Sequence, residues 1–288
     1  MSSAQPIDRL SGILEQFTIR AELHHAGALC GITEFPARDG QAYLHVLRRG
    51  KLDVRHPGAR GLPKVLRLHE PTLLLYPRPV THHFHTEARD GSDFTCARLS
   101  FRGGADNPLV RAMPALIALP LERVKGLHAA LTLLFDETER VRCGQRLLAD
   151  RLFEVVLIQL LRWLLDHPHE ANINPGMITG LSDARLARAL VAMHDSLDQH
   201  WTVERMATCA AMSRTAFATT FREVVGQTPM DYLNDCRIAL AQKRLRAGQP
   251  IKTLAENLGY SNPSALSRAF KVKTGLSPRE WLAETAHP

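Results

Sequence analysis

The feature that most constrains this chain is a phrase that occurs twice near its C-terminal end. Residues 213–232 read SRTAFATTFREVVGQTPMDY, and residues 261–281 read SNPSALSRAFKVKTGLSPREW. Each copy has an early serine, a phenylalanine followed by a basic residue, a glycine, a proline and an aromatic residue. The serines align at an offset of 48 and the glycines at 49, which predicts one inserted residue after Ser261, within the segment that includes Asn262, Pro263 and Ser264. Two copies are too few for a solenoid, so we interpret them as a diverged duplication.

Each copy has the pattern of a short helix, a tight turn and a second, capped helix. Ser213 is expected to cap the second helix of the first copy, and Ser261 with Asn262 that of the second copy. Gly259 suits the turn, because glycine tolerates a positive φ. Two such units one DNA turn apart would read adjacent major grooves, and residues 231–248 are long enough to connect them. The pattern alone leaves open a pair of helical hairpins that serves only for packing.

The stretch IKTLAENLGYSNPSALSRAFKVKTGLSPREW resembles the C-terminal signature of AraC/XylS-type transcriptional regulators, and the resemblance covers residues 183–284. It implies a seven-helix module that binds double-stranded DNA through one recognition helix per copy, with RNA polymerase as a partner. The DNA-binding residues that it implies are Arg214, Thr215, Ala218 and Thr219 in the first copy and Asn262, Ser264, Ser267 and Arg268 in the second.

The chemistry of these side chains agrees in part with that assignment. Arginine bonds guanine through two donors, and asparagine can bond adenine in the same way. Arg222, Lys271 and Lys273 lie toward the helix ends and suit phosphate contact. Ala218 departs from the longer polar residue that the family often has there. The core-facing residues are expected to be Phe217, Phe221, Leu266 and Phe270.

The N-terminal half changes composition twice. Residues 20–102 alternate short apolar runs with Gly, Pro and Asp, which predicts an antiparallel barrel or sandwich. Residues 108–166 have helical periodicity. We therefore expect an α+β chain in four parts: an antiparallel β-barrel domain (1–107), a helical dimerisation segment (108–166), a linker (167–180) and an all-α DNA-binding domain with two helix-turn-helix motifs (181–288).

The helix expected over residues 147–165 is apolar around much of its surface. It is either a core helix or a helix that buries an extra face against a second subunit. One domain core rarely needs so many faces of one helix, so we expect a homodimer through this region.

A second, less specific resemblance concerns the β domain at residues 1–107 and implies that it is a cupin-like sensor barrel. EPTLLLYPRPVTHHFH resembles the second cupin motif, with Pro77, Pro79 and His82 at the expected spacing. GQAYLHVLRRGKLDV resembles the first motif but has one histidine, His45, where cupin enzymes have His-x-His and a downstream Glu. The metal set of a cupin enzyme is therefore incomplete, and the resemblance implies a sensor. It points to a subgroup of AraC-type regulators that includes reactive-chlorine-sensing members.

Two thiols and two imidazoles in this half form a candidate metal or redox site. Cys30, His45, His82 and Cys96 are ligand types that bind zinc tetrahedrally, and a thiolate is the form that oxidants attack. Alternatively, each is an ordinary core residue. The remaining histidines divide into competing ligands (His83 and His85) and residues expected to be solvated (His24, His25, His56 and His69).

Composition narrows the remaining choices. The formal net charge of +7 suits an acidic partner, although it is weak evidence alone. Five cysteines without a compact spacing, no signal-peptide pattern and no long apolar run predict a cytoplasmic protein without membrane association. We expect a transcriptional regulator, an activator, whose effector is unknown, and not an enzyme. The alternatives are a metal-dependent cupin enzyme with a fused helical module and a helical adaptor that binds only protein.

Overall fold

The computed structural model describes residues 7–38, 40–86, 91–102, 104 and 107–285. The chain divides into two compact units. The first, the sheet unit, comprises residues 19–105 and 109–174, and the second, the helical unit, comprises residues 1–18, 106–108 and 175–288. The helices expected to form a separate segment after residue 108 thus belong largely with the strands. Among the described residues, no helix is long and apolar enough to cross a membrane.

The strands, in chain order, are β1 Ile19–Leu29, β2 Gly31–Phe35, β3 Ala42–Arg49, β4 Leu52–Arg55, β5 Val65–Leu68, β6 Thr72–Tyr76, β7 His82–Thr86, β8 Ser92–Phe101 and β9 Ile117–Pro120. The helices are α1 Ser11–Gln16, α2 Pro108–Ala112, α3 Leu127–Glu139, α4 Gln145–Asp166, α5 Met177–Ser182, α6 Ala184–Asp195, α7 Val203–Cys209, α8 Arg214–Val225, α9 Pro229–Arg246, α10 Ile251–Asn257, α11 Pro263–Thr274 and α12 Pro278–Thr285. A short 3₁₀ helix covers Leu121–Arg123.

The strands form two antiparallel sheets, ordered β1-β8-β3-β6-β9 and β2-β7-β4-β5. Buried side chains of both sheets form one core, which includes Phe35, Tyr43, Tyr76, Phe84 and Phe94. This arrangement confirms the α+β fold class with an N-terminal cupin-type half. Strand β9 was not predicted, because it lies within the segment that has helical periodicity overall.

Two helices cover part of the sheet unit. Helix α4 packs against α3 and against β1. The pairing of β1 with β8 shifts register between Leu23 and His25, and such a shift releases a backbone group from the ladder. The N–H of Leu23 donates to the Asp150 carboxylate of α4 at 2.6 Å. The irregular strand is therefore tied to the helix that covers it.

The N-terminal segment 7–18, expected in the sensor domain, groups with the helical unit instead. Its apolar side chains Leu10, Ile13 and Phe17 are buried. Lys243 of α9 donates to the backbone oxygen of Gln16. The segment therefore contributes to the core of the helical unit. Helix α5 begins inside the predicted linker and has buried residues of its own, so only part of that linker lacks regular structure.

The duplication appears in the helical unit as two equivalent helix pairs, α7–α8 and α10–α11. Helices α8 and α11 both end at a glycine with φ of +80°, Gly226 and Gly275, which only glycine adopts without strain. Both are followed by a helix that begins with proline. The four predicted core residues of the pairs are fully buried, as expected: Phe217, Phe221, Leu266 and Phe270.

The capping contacts correct the alignment of the two copies. The Ser213 hydroxyl accepts from the N–H of Ala216, and the Asn262 side chain accepts from the N–H of Ala265. Asn262, and not Ser261, is therefore the counterpart of Ser213. The offset is already 49 at the helix start, so the extra residue precedes Asn262, and the predicted alignment of Ser213 with Ser261 is wrong.

Candidate nucleic-acid interface and buried histidine cluster

Helix α8 presents a polar face opposite its two buried phenylalanines. Arg214, Thr215, Thr219 and Arg222 are exposed on this helix. Ala218 is partly buried and carries no hydrogen-bonding group, so it cannot bond a base edge. The face offers two threonine hydroxyls between two guanidinium groups, which is a suitable set for a nucleic-acid groove.

Helix α11 presents an equivalent face with more positive charge. Ser264, Arg268 and Lys271 are exposed, and Ser267 is partly buried. Val272, four residues after Arg268 on the same face, is 88% exposed. Val272 was not identified from the sequence as a possible DNA contact, because a residue at this helical position can equally be an ordinary surface residue. An exposed aliphatic group there can contact a thymine methyl.

Arg214 forms an ion pair that the sequence did not predict. Its Nη1 lies 2.9 Å from Oε1 of Glu204, in the first turn of α7. The guanidinium at the start of the first recognition helix therefore has a fixed acidic neighbour.

Two residues predicted to contact DNA have other partners. The Lys273 ammonium lies 2.6 Å and 2.7 Å from the two carboxylate oxygens of Asp235. A phosphate would have to compete with this pair. The Asn262 amide oxygen caps α11, and adenine readout needs that oxygen and the amide nitrogen together. The structure therefore does not favour phosphate contact by Lys273 or adenine readout by Asn262.

In the sheet unit, three of the four residues of the predicted sulfur–imidazole site come together. His45 on β3 and Cys96 on β8 are paired across neighbouring strands, so their side chains share a face. Nδ1 of His45 lies 2.9 Å from Sγ of Cys96, and its Nε2 lies 2.9 Å from Nε2 of His82. Nδ1 of His82 in turn lies 2.8 Å from the carbonyl oxygen of Val80.

The direction of these hydrogen bonds follows from their last member. The Val80 oxygen can only accept, so Nδ1 of His82 donates and its Nε2, in the neutral ring, accepts. Nε2 of His45 therefore donates and its Nδ1 accepts the thiol proton of Cys96. The result is a one-directional chain from Cys96 through both imidazoles to Val80, with every member neutral.

Burial favours the same neutral state. All three side chains are at most 1% exposed. Burial, followed by the charge of His82, lowers the pKa of His45 well below its ordinary value. Burial lowers the pKa of His82 to about 4 and raises the pKa of the Cys96 thiol well above its ordinary value. Cys96 is therefore held as a thiol, and not as the reactive thiolate expected of an oxidant sensor.

The predicted zinc site is not assembled. Cys30 is exposed in the turn between β1 and β2, and the adjacent β1 residue pairs with Ser92, four residues from Cys96. That separation is roughly 13 Å along the strand. Both nitrogens of His45 face different partners, so the three remaining donors do not converge on one point. No group of three or more His, Cys, Asp or Glu residues in the described part of the chain has the arrangement of a metal site.

A third buried histidine of the sheet unit was not predicted from the sequence. His56, expected to be solvated, is 4% exposed. Its Nδ1 lies 2.7 Å from the carbonyl oxygen of Pro63, and its Nε2 lies 2.8 Å from the Tyr76 hydroxyl. The Tyr76 ring stacks on His82 at 4.0 Å between centroids. The site thus extends through Tyr76 to a residue whose sequence surroundings, RHPGARG, indicate only a turn.

The competing ligands lie on the opposite side of β7. His82 and Phe84 are buried, whereas His83 and His85 are only partly buried, as the alternation of a strand requires. His83 and His85 therefore do not join the buried cluster.

Comparison with known proteins agrees with both halves of the fold. The family model described as "Cupin" matches residues 8–166, more than half of the chain, and the model described as "Helix-turn-helix domain" matches residues 206–284. The chain is 33% identical over 184 residues to the HTH-type transcriptional regulator AlkR of Acinetobacter baylyi, covering 62% of this chain and 59% of AlkR. It is 25% identical over 242 residues to the RCS-specific HTH-type transcriptional activator RclR of Escherichia coli K12, covering 82% of each.

The chain spans about three-fifths of the length of the first curated relatives it matches. These relatives are transcription regulators and not enzymes, which counts against the alternative of a metal-dependent cupin enzyme. The two family matches together cover most of the sheet unit and most of both helix pairs. The chain therefore belongs to the AraC family of helix-turn-helix regulators with an N-terminal cupin domain.

Proposed function

We propose that this protein is a transcriptional regulator that binds specific double-stranded DNA through its helical unit. The observation that carries the proposal is the duplicated face: α8 buries three core residues and α11 two, and both helices expose polar and basic side chains on the opposite side. A recognition helix needs this division, because one side must be held rigidly while the other enters the groove. The net charge of +7 favours the same partner.

The test is a selection of duplexes from a randomised library by the full-length chain, followed by salt titration on the selected duplex and on an unrelated one. We expect the selected duplex to bind at least about 1,000-fold tighter. Arg268→Ala should reduce that ratio by about 5- to 150-fold at one base position, equivalent to about 1–3 kcal/mol. Equal binding of all duplexes by the wild-type chain would contradict the proposal.

We further propose a homodimer through α3 and α4. Leu147, Val155 and Ile158 follow one line on α4 at helical spacing and are 63%, 42% and 36% exposed. Leu133 of α3 and Val141 of the connecting turn are also exposed. Leu148, next to this line, is 48% exposed as well, whereas most other apolar residues of α4 are buried within the unit, so this surface is the part of the helix that its own fold does not use.

Light scattering of the Val155→Glu/Ile158→Glu variant tests the dimer. We expect a dimer for the wild type and for the control Arg60→Glu, which adds a carboxylate at an exposed position away from α4. The double variant should be a monomer with an unchanged far-UV circular dichroism spectrum. A monomeric wild type at tens of micromolar, with and without DNA, would contradict the proposal.

For the sensor we propose an organic effector in place of zinc. The neutral buried histidine chain neither converges on a metal nor keeps a thiolate. The sheet unit has an open cleft of about 650 Å³ between β1, β3, β8 and α3. Arg48 lies over the Phe135 ring at 4.8 Å in this cleft and forms an ion pair with Glu139. A ligand with an apolar and an anionic part would bind here by contacting the Phe135 ring and by displacing Glu139 from Arg48.

Thermal-shift screening of small aromatic and aliphatic carboxylates tests the effector proposal. A ligand that stabilises the wild type should lose its effect in Arg48→Ala. Metal analysis supplies the competing outcome: about one zinc per chain, lost in His82→Ala, would overturn the organic effector.

Activation through RNA polymerase is the last part of the proposal. Transcription with purified polymerase should rise when this protein binds upstream of a promoter, and a fall would make it a repressor.

A further inference from the structure

The ion pair between Glu204 and Arg214 lies at the start of the first recognition helix. Arg214 is the first residue of α8, and its guanidinium is within 2.9 Å of the Glu204 carboxylate. The side chains are 69% and 56% exposed, so both charges remain accessible to a partner. An exposed pair of this kind contributes little to stability. The position of this pair at the start of α8 is therefore better explained by an effect on DNA recognition.

The second copy has no such pair. Glu204 is the second residue of α7, and the second residue of α10 is Lys252. Arg214 is the first residue of α8, and the first residue of α11 is Pro263. The duplicated framework therefore folds without this pair, which belongs to one of the two reading helices only.

We infer that Glu204 is a positioning residue that determines the base specificity of Arg214. The inference rests on the proposed DNA-binding function. A guanidinium has five N–H donors, and the pair with Glu204 occupies only part of them. The remaining donors can bond O6 and N7 of a guanine while the carboxylate restricts the side chain to that orientation.

The same carboxylate discourages the competing use of Arg214. A free arginine at a helix start pairs readily with phosphate, which carries no sequence information. Glu204 already neutralises part of the guanidinium charge and repels phosphate oxygens itself. Backbone hydrogen bonding in the first turn of α7, together with the Arg214 charge, lowers the pKa of Glu204. The carboxylate is thus ionised at neutral pH.

The test uses the full-length chain and the duplex selected by the wild type. In Glu204→Gln, discrimination at the base read by Arg214 should fall about tenfold. Affinity for an unrelated duplex should rise, and its salt dependence should steepen by about one phosphate contact, because Arg214 becomes available to the backbone. Arg214→Ala should abolish discrimination at the same base. Adding Glu204→Gln to Arg214→Ala should then have no further effect there.

Lys252→Gln is the matched control, because it changes the equivalent helix position in the other copy. It should flatten the salt dependence by at most about one contact and leave every base preference unchanged. Three results would overturn the inference: unchanged discrimination in Glu204→Gln, a loss of preference that persists without Arg214, or equal weakening on all duplexes with a lower melting temperature. A wild-type chain without sequence preference would instead refute the proposed function, and the inference with it.

Discussion

The thiol of Cys96 lies 2.9 Å from Nδ1 of His45 in the core between the two sheets of the sheet unit. Since the neutral His45 ring has a single N–H, on Nε2, and donates it toward His82, its Nδ1 can only accept and the sulfur must be the donor in this contact. Burial raises the pKa of Cys96 further from neutrality. A cysteine this close to a histidine first suggests a reactive thiolate. Here the sulfur is instead held as a protonated, unreactive thiol.

Thiol labelling should separate four of the five cysteines by exposure, the fifth, Cys209, being only partly buried. Cys30 and Cys143 are exposed and should react with a maleimide within minutes, whereas Cys96 and Cys236 are buried and should react only after denaturation. Mass mapping of labelled peptides measures this. His45→Ala is a useful comparison, because it opens space beside the sulfur and should increase labelling of Cys96 alone. Rapid labelling of Cys96 in the native wild type would contradict the neutral chain.

The buried histidines should make the sheet unit sensitive to acid. The pKa of His82 is about 4 in the folded protein and about 6.5 when unfolded, so below pH 6.5 the unfolded state binds the proton first. The contribution of His82 to the free energy of unfolding should therefore be fully present well above pH 6.5 and fall by roughly 3 kcal/mol on the way to pH 4. Calorimetry of the wild type and His82→Gln tests this between pH 6.5 and 5. A variant with the same pH slope as the wild type would refute it.

Gly259→Ala should destabilise the helical unit severely. Gly259 has φ of +69°, and an added Cβ would lie 2.5 Å from the Asp198 backbone oxygen and 2.5 Å from Nη2 of Arg237. Arg237 also donates to the carbonyl oxygens of Leu197 and Gln199, so it cannot move without losing these bonds. We expect a loss of about 3 kcal/mol or more.

The variant Gly248→Ala separates the cost of backbone strain from the cost of the steric clash of the added methyl group. Gly248 has a similar φ of +80°, but nothing lies within 4 Å of the position that an added Cβ would take. This substitution should cost only about 1 kcal/mol, from the left-handed backbone alone. Urea unfolding of both variants gives the comparison, and equal losses would show that Arg237 and Asp198 accommodate the methyl group.

Lys271→Ala and Lys273→Ala should differ although both lysines lie in the last turn of α11. Lys271 is exposed, and its removal should flatten the salt dependence of DNA binding by about one contact. Lys273 is engaged by Asp235, so its removal should change that dependence less and cost up to about 1 kcal/mol of stability instead. Equal salt dependence in the two variants would mean that DNA displaces Asp235.

The helical pairs were predictable because their signals are local. Phenylalanine at helical spacing, a glycine after the helix and a proline at the next start each determine the backbone within a few residues, and α8 and α11 follow them. The extra residue was misplaced because serine and asparagine cap equally well, and Ser261 stands next to Asn262. Only the hydrogen bonds identify which one is the cap.

The candidate sites were less predictable because they depend on register and on distant partners. His45 and Cys96 meet because β3 and β8 align them, while Cys30 falls just beyond the end of β1. Lys273 and Asp235 are 38 residues apart in sequence. No periodicity in either segment indicates such a pair. Residue type alone therefore identified the candidate residues but not the partners that each of them contacts.

The grouping of residues 7–18 with the helical unit has a consequence for synthesis of the chain. Gln16 leaves the ribosome 227 residues before Lys243, which donates to its backbone oxygen. At ribosomal speeds of about 5–20 residues per second, the N-terminal helix waits roughly 10–45 s for its partner. The intervening sheet unit is complete by then and can fold first. This early segment is thus among the last to be packed, and Leu10, Ile13 and Phe17 stay available to chaperones during that interval.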